Sequence, residues 1–147
     1  MNLLTRKVDY ALLVLSHLYE RRGGASAREI AGRFSISPSF IANILKELCS
    51  KGYVSSHRGV KGGYVLLRSP ERITLAEFID SLENHPVQFA ACTQDDPEDG
   101  CSLIETCPVR RPIAEIHQRI RALLDGVTLA DLFNRRARTA ELVTLGV

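Results

Sequence analysis

Three of the chain's four cysteines, Cys92, Cys101 and Cys107, fall in one stretch, CTQDDPEDGCSLIETC. Eight residues separate the first two, and five separate Cys101 from Cys107. Structural zinc sites usually draw on Cys-x2–4-Cys pairs held by tight turns, and this spacing has none. Iron–sulfur clusters are held by thiolates, with another residue sometimes replacing one of them. Three thiolates on a loop able to wrap a cluster meet that need, and Pro97 and Gly100 help the loop to turn. The same thiols without metal would form an oxidation sensor. Cys49 stands apart, four residues after Leu45 and beside Leu48. A free cysteine packs as a small hydrophobe, so Cys49 reads as core.

The elements that must carry this loop are legible from periodicity. Val8, Ala11, Leu12, Leu15 and Leu18 mark a helix over 8–20, ended by RRGG at 21–24. SARE at 26–29 is a capping box, with Ser26 as N-cap and Glu29 three residues on. Ile30, Ala31 and Phe34 give that short helix its buried face. After the turn SIS at 35–37, Ser37 caps a further helix, Pro38 takes its first position, and Ile41, Ile44, Leu45 and Leu48 form its apolar stripe. Two short helices joined by a tight turn make a helix-turn-helix. YVSSHRGVKGGYVLL at 53–67 then reads as a hairpin with a cationic, glycine-rich tip, which is a wing. TLAE at 74–77 predicts a second capping box, and NHP at 84–86 stops the helix it opens, because Pro86 biases His85 away from helical geometry. Beyond the cysteines, Pro108 opens a long helix striped with Ile113, Ile116, Ile120, Leu123, Leu124 and Val127. TLAD at 128–131 caps a last short one. The class is mainly α: a winged helix-turn-helix with a two-stranded wing and a long C-terminal helix.

Charge divides along the same lines. Residues 1–70 hold 11 Lys/Arg against 4 Asp/Glu, and residues 71–107 hold 1 against 9. A basic N-terminal half is the footprint of a nucleic-acid binder. In a helix-turn-helix, the start of the second helix meets base edges in the major groove of double-stranded DNA. Ser37, Ser39 and Asn43 are the short polar residues there, and Lys46 further along suits a phosphate. At the wing tip, Arg58 and Lys61 are placed for the minor groove or the phosphates. The acidic cysteine loop is poorly suited to touch DNA. No apolar run approaches the roughly 20 residues that cross a bilayer, so a cytoplasmic protein without membrane contact is expected. There grouped cysteines favour metal or redox chemistry over structural disulfides. Four scattered histidines, with no nucleophilic triad and no phosphate loop, give an enzyme no support.

Taken together, the winged helix, RGVKGGY, the three cysteines before a long apolar helix, and TLADL resemble the Rrf-two family of bacterial iron–sulfur regulators, with its IscR, NsrR and RirA branches. The resemblance runs from residue 1 to about 133. SAREIA, SHRGVKGGY and CPVRRP are most similar to its SUF-operon type. It implies a homodimer paired through the long C-terminal helices, reading a pseudo-palindromic operator. It also implies one 2Fe–2S or 4Fe–4S cluster per subunit on Cys92, Cys101 and Cys107. Arg58 matches the family's minor-groove arginine, and Ser39 and Asn43 fall at DNA-contacting positions. Ala42 stands where one branch carries a glutamate that discriminates between operator classes. Arg110 occupies the place of a ligating histidine in that branch. Another branch takes its fourth ligand from an aspartate on the first helix of the other subunit, and Asp9 matches it; His85, His117, Glu105 and an exogenous thiol are the alternatives.

This reading divides the chain into a DNA-binding domain over 1–84, a cluster-binding loop over 85–107, a dimerisation helix with a short final helix over 108–134, and a weakly ordered tail over 135–147. The function it implies is a transcriptional regulator sensing iron–sulfur, redox or nitric oxide status. A metal-free thiol regulator, a zinc-stabilised DNA-binding protein and a cluster carrier with a vestigial winged helix are the competing readings.

Overall fold

The computed structural model describes residues 4–60, 62–90, 92, 101–103 and 105–134. Its first helix, α1, spans Arg6–Glu20 and begins earlier than the apolar periodicity predicts. The reason is a cap: the Thr5 hydroxyl accepts the Val8 N–H. Helix α2 (Ala27–Phe34) opens on the complete Ser26–Glu29 capping box. It closes at Ser35, whose left-handed backbone (φ 54°) makes the tight turn of the helix-turn-helix. Helix α3 (Pro38–Ser50) is capped by the Ser37 hydroxyl, which accepts the Phe40 N–H at 3.3 Å.

The wing follows directly. Strands β1 (Val54–His57) and β2 (Gly63–Leu66) pair antiparallel, with Val54 opposite Leu66 and His57 opposite Gly63. A bridge between Ala25 and Tyr64 docks the wing onto the α1–α2 connection. Gly63 is required there, because a Cβ would lie 2.8 Å from the Ala25 carbonyl oxygen.

A short 3-10 turn, Pro70–Arg72, leads to α4 (Leu75–Glu83). The Thr74 hydroxyl caps α4 by accepting the Glu77 N–H at 3.1 Å. The reciprocal half of the expected capping box is not formed, because the Glu77 carboxylate pairs instead with Arg68 at 2.7 Å. The helix stops at Asn84, in left-handed geometry (φ 60°), two residues ahead of Pro86. Helix α5 spans Arg110–Asp125, so Pro108 precedes it and Pro112 lies in its first turn. Helix α6 (Leu129–Phe133) has both halves of a capping box, between Thr128 and Asp131.

One core joins these parts. Val8, Leu15, Ile30, Ile41, Leu45, Leu48, Phe78 and Leu129 are all at most 1% exposed and belong to a single apolar cluster. Tyr53 meets Phe78 edge-on at 5.0 Å, which fixes the base of the wing against α4. The turn into α6 folds back onto the start of α4. The Leu75 N–H donates to the Val127 carbonyl at 2.8 Å, and the Leu129 N–H donates to the Ile73 carbonyl at 2.9 Å. His17 is an unexpected member of this interior: it is 6% exposed, packs edge-on to Phe34, and its Nε2 has no hydrogen-bond partner among the described residues. Burial, and then the Arg21 guanidinium, hold its pKa below the ordinary imidazole value, against an opposing pull from Glu20.

Candidate DNA interface and cysteine segment

The apolar stripe of α3 is buried, and that decides what its opposite face presents. Ile41, Ile44, Leu45 and Leu48 turn inward, leaving Ser39, Asn43 and Lys46 exposed. Positions 39, 43 and 46 follow the i, i+4, i+7 rule, so the three side chains form one polar row. Ser37 is exposed at the head of that row, with its hydroxyl 3.4 Å from that of Ser39. Because it also caps the helix, one hydroxyl holds the helix start and stands beside the candidate base-contacting residue. Phe40, 37% exposed, is steadied by an edge contact with Tyr10 at 5.0 Å.

At the wing tip Arg58 is exposed. Gly59 adopts φ 129°, a geometry closed to ordinary side chains, and its carbonyl accepts the Gly62 N–H at 2.8 Å. Lys61 lies outside the described residues. Val60 is a residue that sequence reasoning passed over. It is fully exposed between the two cationic positions, an apolar side chain with no core to enter. Its signal was simply an aliphatic residue inside RGVKGG.

Cys92, Cys101 and Cys107 are each free and half-buried, between α4 and α5 in the chain. A turn carries Cys107 into α5: its N–H donates to the Leu103 carbonyl at 2.9 Å, and its carbonyl accepts the Arg110 N–H at 3.4 Å. Among the described residues, no three His, Cys, Asp or Glu side chains gather into a metal-binding group. Asp9 is exposed on the first turn of α1. Cys49 packs against the core, and burial pushes its thiol pKa up, which keeps it protonated.

Helix α5 carries a feature that the residue count alone did not expose. Val109, Ile113, Ile116, Ile120 and Leu123 alternate at spacings of four and three, the period of a coiled-coil seam. Val109, Ile116 and Leu123 are 56%, 42% and 50% exposed. Leu124, beside the seam, is 7% exposed and joins the core cluster, against which Ile120 packs. The inner side of α5 is also fixed by a pair between Arg121 and Asp80 of α4, at 2.6 Å. Among the described residues, no helix is long and apolar enough to cross a membrane.

Comparison with known proteins agrees with this architecture. A family model described as Rrf2, iron-dependent transcriptional regulator, matches residues 4–135. A putative rrf2-like HTH-type regulator of Rhodobacter capsulatus is 30% identical, across 96% of this chain and 99% of its own. The regulator NsrR of Geobacillus kaustophilus is 30% identical, across 95% of each chain. Among solved structures, CymR of B. subtilis, described as the global cysteine regulator, superposes with a TM-score of 0.71 at 27% identity, covering 93% of this chain and all of CymR. The chain therefore belongs to the Rrf2 family, and it is a DNA-binding transcriptional regulator of the winged-helix type, not an enzyme.

Proposed function

We propose that this regulator is a cytoplasmic homodimer that holds an iron–sulfur cluster, 2Fe–2S or 4Fe–4S, on Cys92, Cys101 and Cys107, and that its operator affinity follows the state of that cluster. The observation that carries the reading is the placement of three free, half-buried thiols on the one segment that joins the winged helix to α5. Their chemistry fits the group, because thiolates are the usual ligands of such clusters. The thiols are not gathered in the described residues, so the segment has to draw them together on binding. Asp9, exposed on α1, is the proposed fourth donor, reaching the cysteine segment of the partner subunit. A cluster held by these three thiolates and the one carboxylate would supply sensitivity to iron–sulfur, redox or nitric oxide status.

The chain's own residues do the rest. The exposed seam of Val109, Ile116 and Leu123 pairs with its copy. Burying each of these half-exposed side chains contributes about 1 kcal/mol, some half of the value for full burial. The two α3 helices then read a pseudo-palindrome in double-stranded DNA with half-sites ~34 Å apart. Ser37, Ser39 and Asn43 meet base edges, Lys46 and Lys61 meet phosphates, and Arg58 enters the minor groove.

Anaerobic purification with an absorbance spectrum and counts of iron, sulfide and zinc tests the reading. Matching iron and sulfide, lost in Cys92→Ser or Cys107→Ser, is expected. Colourless protein, or protein holding only zinc, contradicts it. An Asp9→Asn variant with an unchanged cluster spectrum removes Asp9 from the ligand set. A second reading, thiol regulation without metal, is favoured by one observation: the three thiols are free, accessible and ungathered. It requires that a mild oxidant alone alters operator binding of the metal-free protein.

A further inference from the structure

Asp80, on α4, receives two parts of the chain on one carboxylate. Its Oδ1 accepts the Val87 N–H at 3.0 Å. Its Oδ2 pairs with the Arg121 guanidinium at 2.6 Å. Val87 is 7% exposed and precedes Cys92 by five residues. Arg121 belongs to α5, which begins three residues after Cys107. The cysteine segment is therefore pinned at its entry, and the helix it runs into is pinned as well, by the same side chain. Both contacts are partly shielded, with Asp80 and Arg121 side chains 24% and 32% exposed. Charge-assisted hydrogen bonds of this length are the strong kind. Arg121 also reaches Asp125 at 3.3 Å, which holds its guanidinium in place along α5.

Helix α4 is well placed to pass on what the segment does. Phe78, Ile79 and Leu82 bury its inner face in the winged-helix core. At its C-terminal end the Lys7 ammonium donates to the Leu82 carbonyl and pairs with Glu47 of α3 at 3.3 Å. A shift of α4 is thus felt at the helix proposed to read DNA.

We propose that Asp80 is a positioning residue that ties the entry of the cysteine segment and the helix that follows it to the winged helix, so that gathering of the thiols is transmitted to DNA affinity. This rests on the cluster-sensing reading above, and the test separates the two. Asp80→Asn keeps an acceptor for the Val87 N–H but removes the charge facing Arg121, and Arg121→Gln removes the pair from the other side. The ratio of operator affinities with and without cluster is measured for each. In the wild type a ratio of about fivefold or more, in either direction, is expected. In both variants it should fall towards one, while the affinity of the cluster-free protein stays at the wild-type value. A wild-type ratio retained in both variants overturns the role of Asp80 and leaves the sensing reading intact. A ratio of one in the wild type overturns the sensing reading and this proposal with it. Hydrogen exchange on the cluster-free protein tests the anchor itself. Asp80→Ala should speed exchange of the Val87 amide; unchanged exchange there overturns the proposal independently of any cluster.

Discussion

Ser37 shows how little a single residue's role can be read from type alone. Its hydroxyl caps α3 and stands 3.4 Å from that of Ser39 at the candidate DNA surface. Ser37→Ala should lower stability by about 1 kcal/mol, the usual value of a lost N-cap, measured by urea denaturation. Ser39 accepts no capping N–H, so Ser39→Ala should leave the urea midpoint unchanged while weakening operator binding. If both variants bind operator DNA like the wild type, neither hydroxyl reads bases. At the wing, Arg58→Lys should weaken binding to a narrow-groove operator, because a guanidinium suits that groove better than an ammonium, and Arg58→Ala should weaken it further, because the charge is lost as well. Wild-type affinity of Arg58→Lys in a fluorescence-anisotropy titration would mean that Arg58 acts only as a charge.

His17 gives a prediction about pH at the same scale. Its folded pKa lies below the unfolded value near 6.5, because burial and Arg21 disfavour the imidazolium. As pH falls below about 6.5 the unfolded chain binds a proton that the folded chain resists. Stability therefore declines as pH drops from there until the folded pKa is reached, and His17 contributes no slope at higher pH. His17→Leu should flatten this part of the profile in urea titrations between pH 5 and pH 7. An unchanged profile would assign the slope to other groups.

At the scale of elements, the helix starts announced by a capping residue were legible, while those of α1 and α5 fell two residues from where the sequence places them. Ser26, Ser37, Thr74 and Thr128 all cap the helices they announce, because capping is local chemistry within four residues. The second half of the α4 box failed, since Arg68 offered Glu77 a better partner than a backbone N–H. That choice depends on the wing packing beside α4, which spacing does not encode. Helix α4 does stop at NHP, and it does so through the left-handed C-cap of Asn84, a backbone geometry that the proline alone does not specify. Asp80 was invisible to pattern reading because its partners stand 7 and 41 residues away and meet only after folding. The seam of α5 belongs to this scale too. Ile116→Glu with Leu123→Glu should convert a dimer to a folded monomer, seen by sedimentation as half the mass with helical content retained. A dimer surviving both substitutions would place the interface elsewhere.

Over the whole molecule, charge and chemistry are kept apart along the chain. The winged helix is basic, and the acidic cysteine segment follows α4 in the chain, with α5 after it. In the proposed mechanism, signal and response then communicate through the fold, by way of α4 and the proposed subunit pairing, and not through direct contact of the cysteines with DNA. The described residues leave the three thiols ungathered, so neither sequence nor fold alone supplies the assembled ligand set. The measurement that bears most directly on this is an anaerobic titration of one operator fragment with cluster-loaded protein and with the same protein after cluster removal. Affinities that differ by about fivefold or more are expected, with the difference abolished in Cys92→Ser. Equal affinities for the loaded and stripped wild-type protein would contradict it.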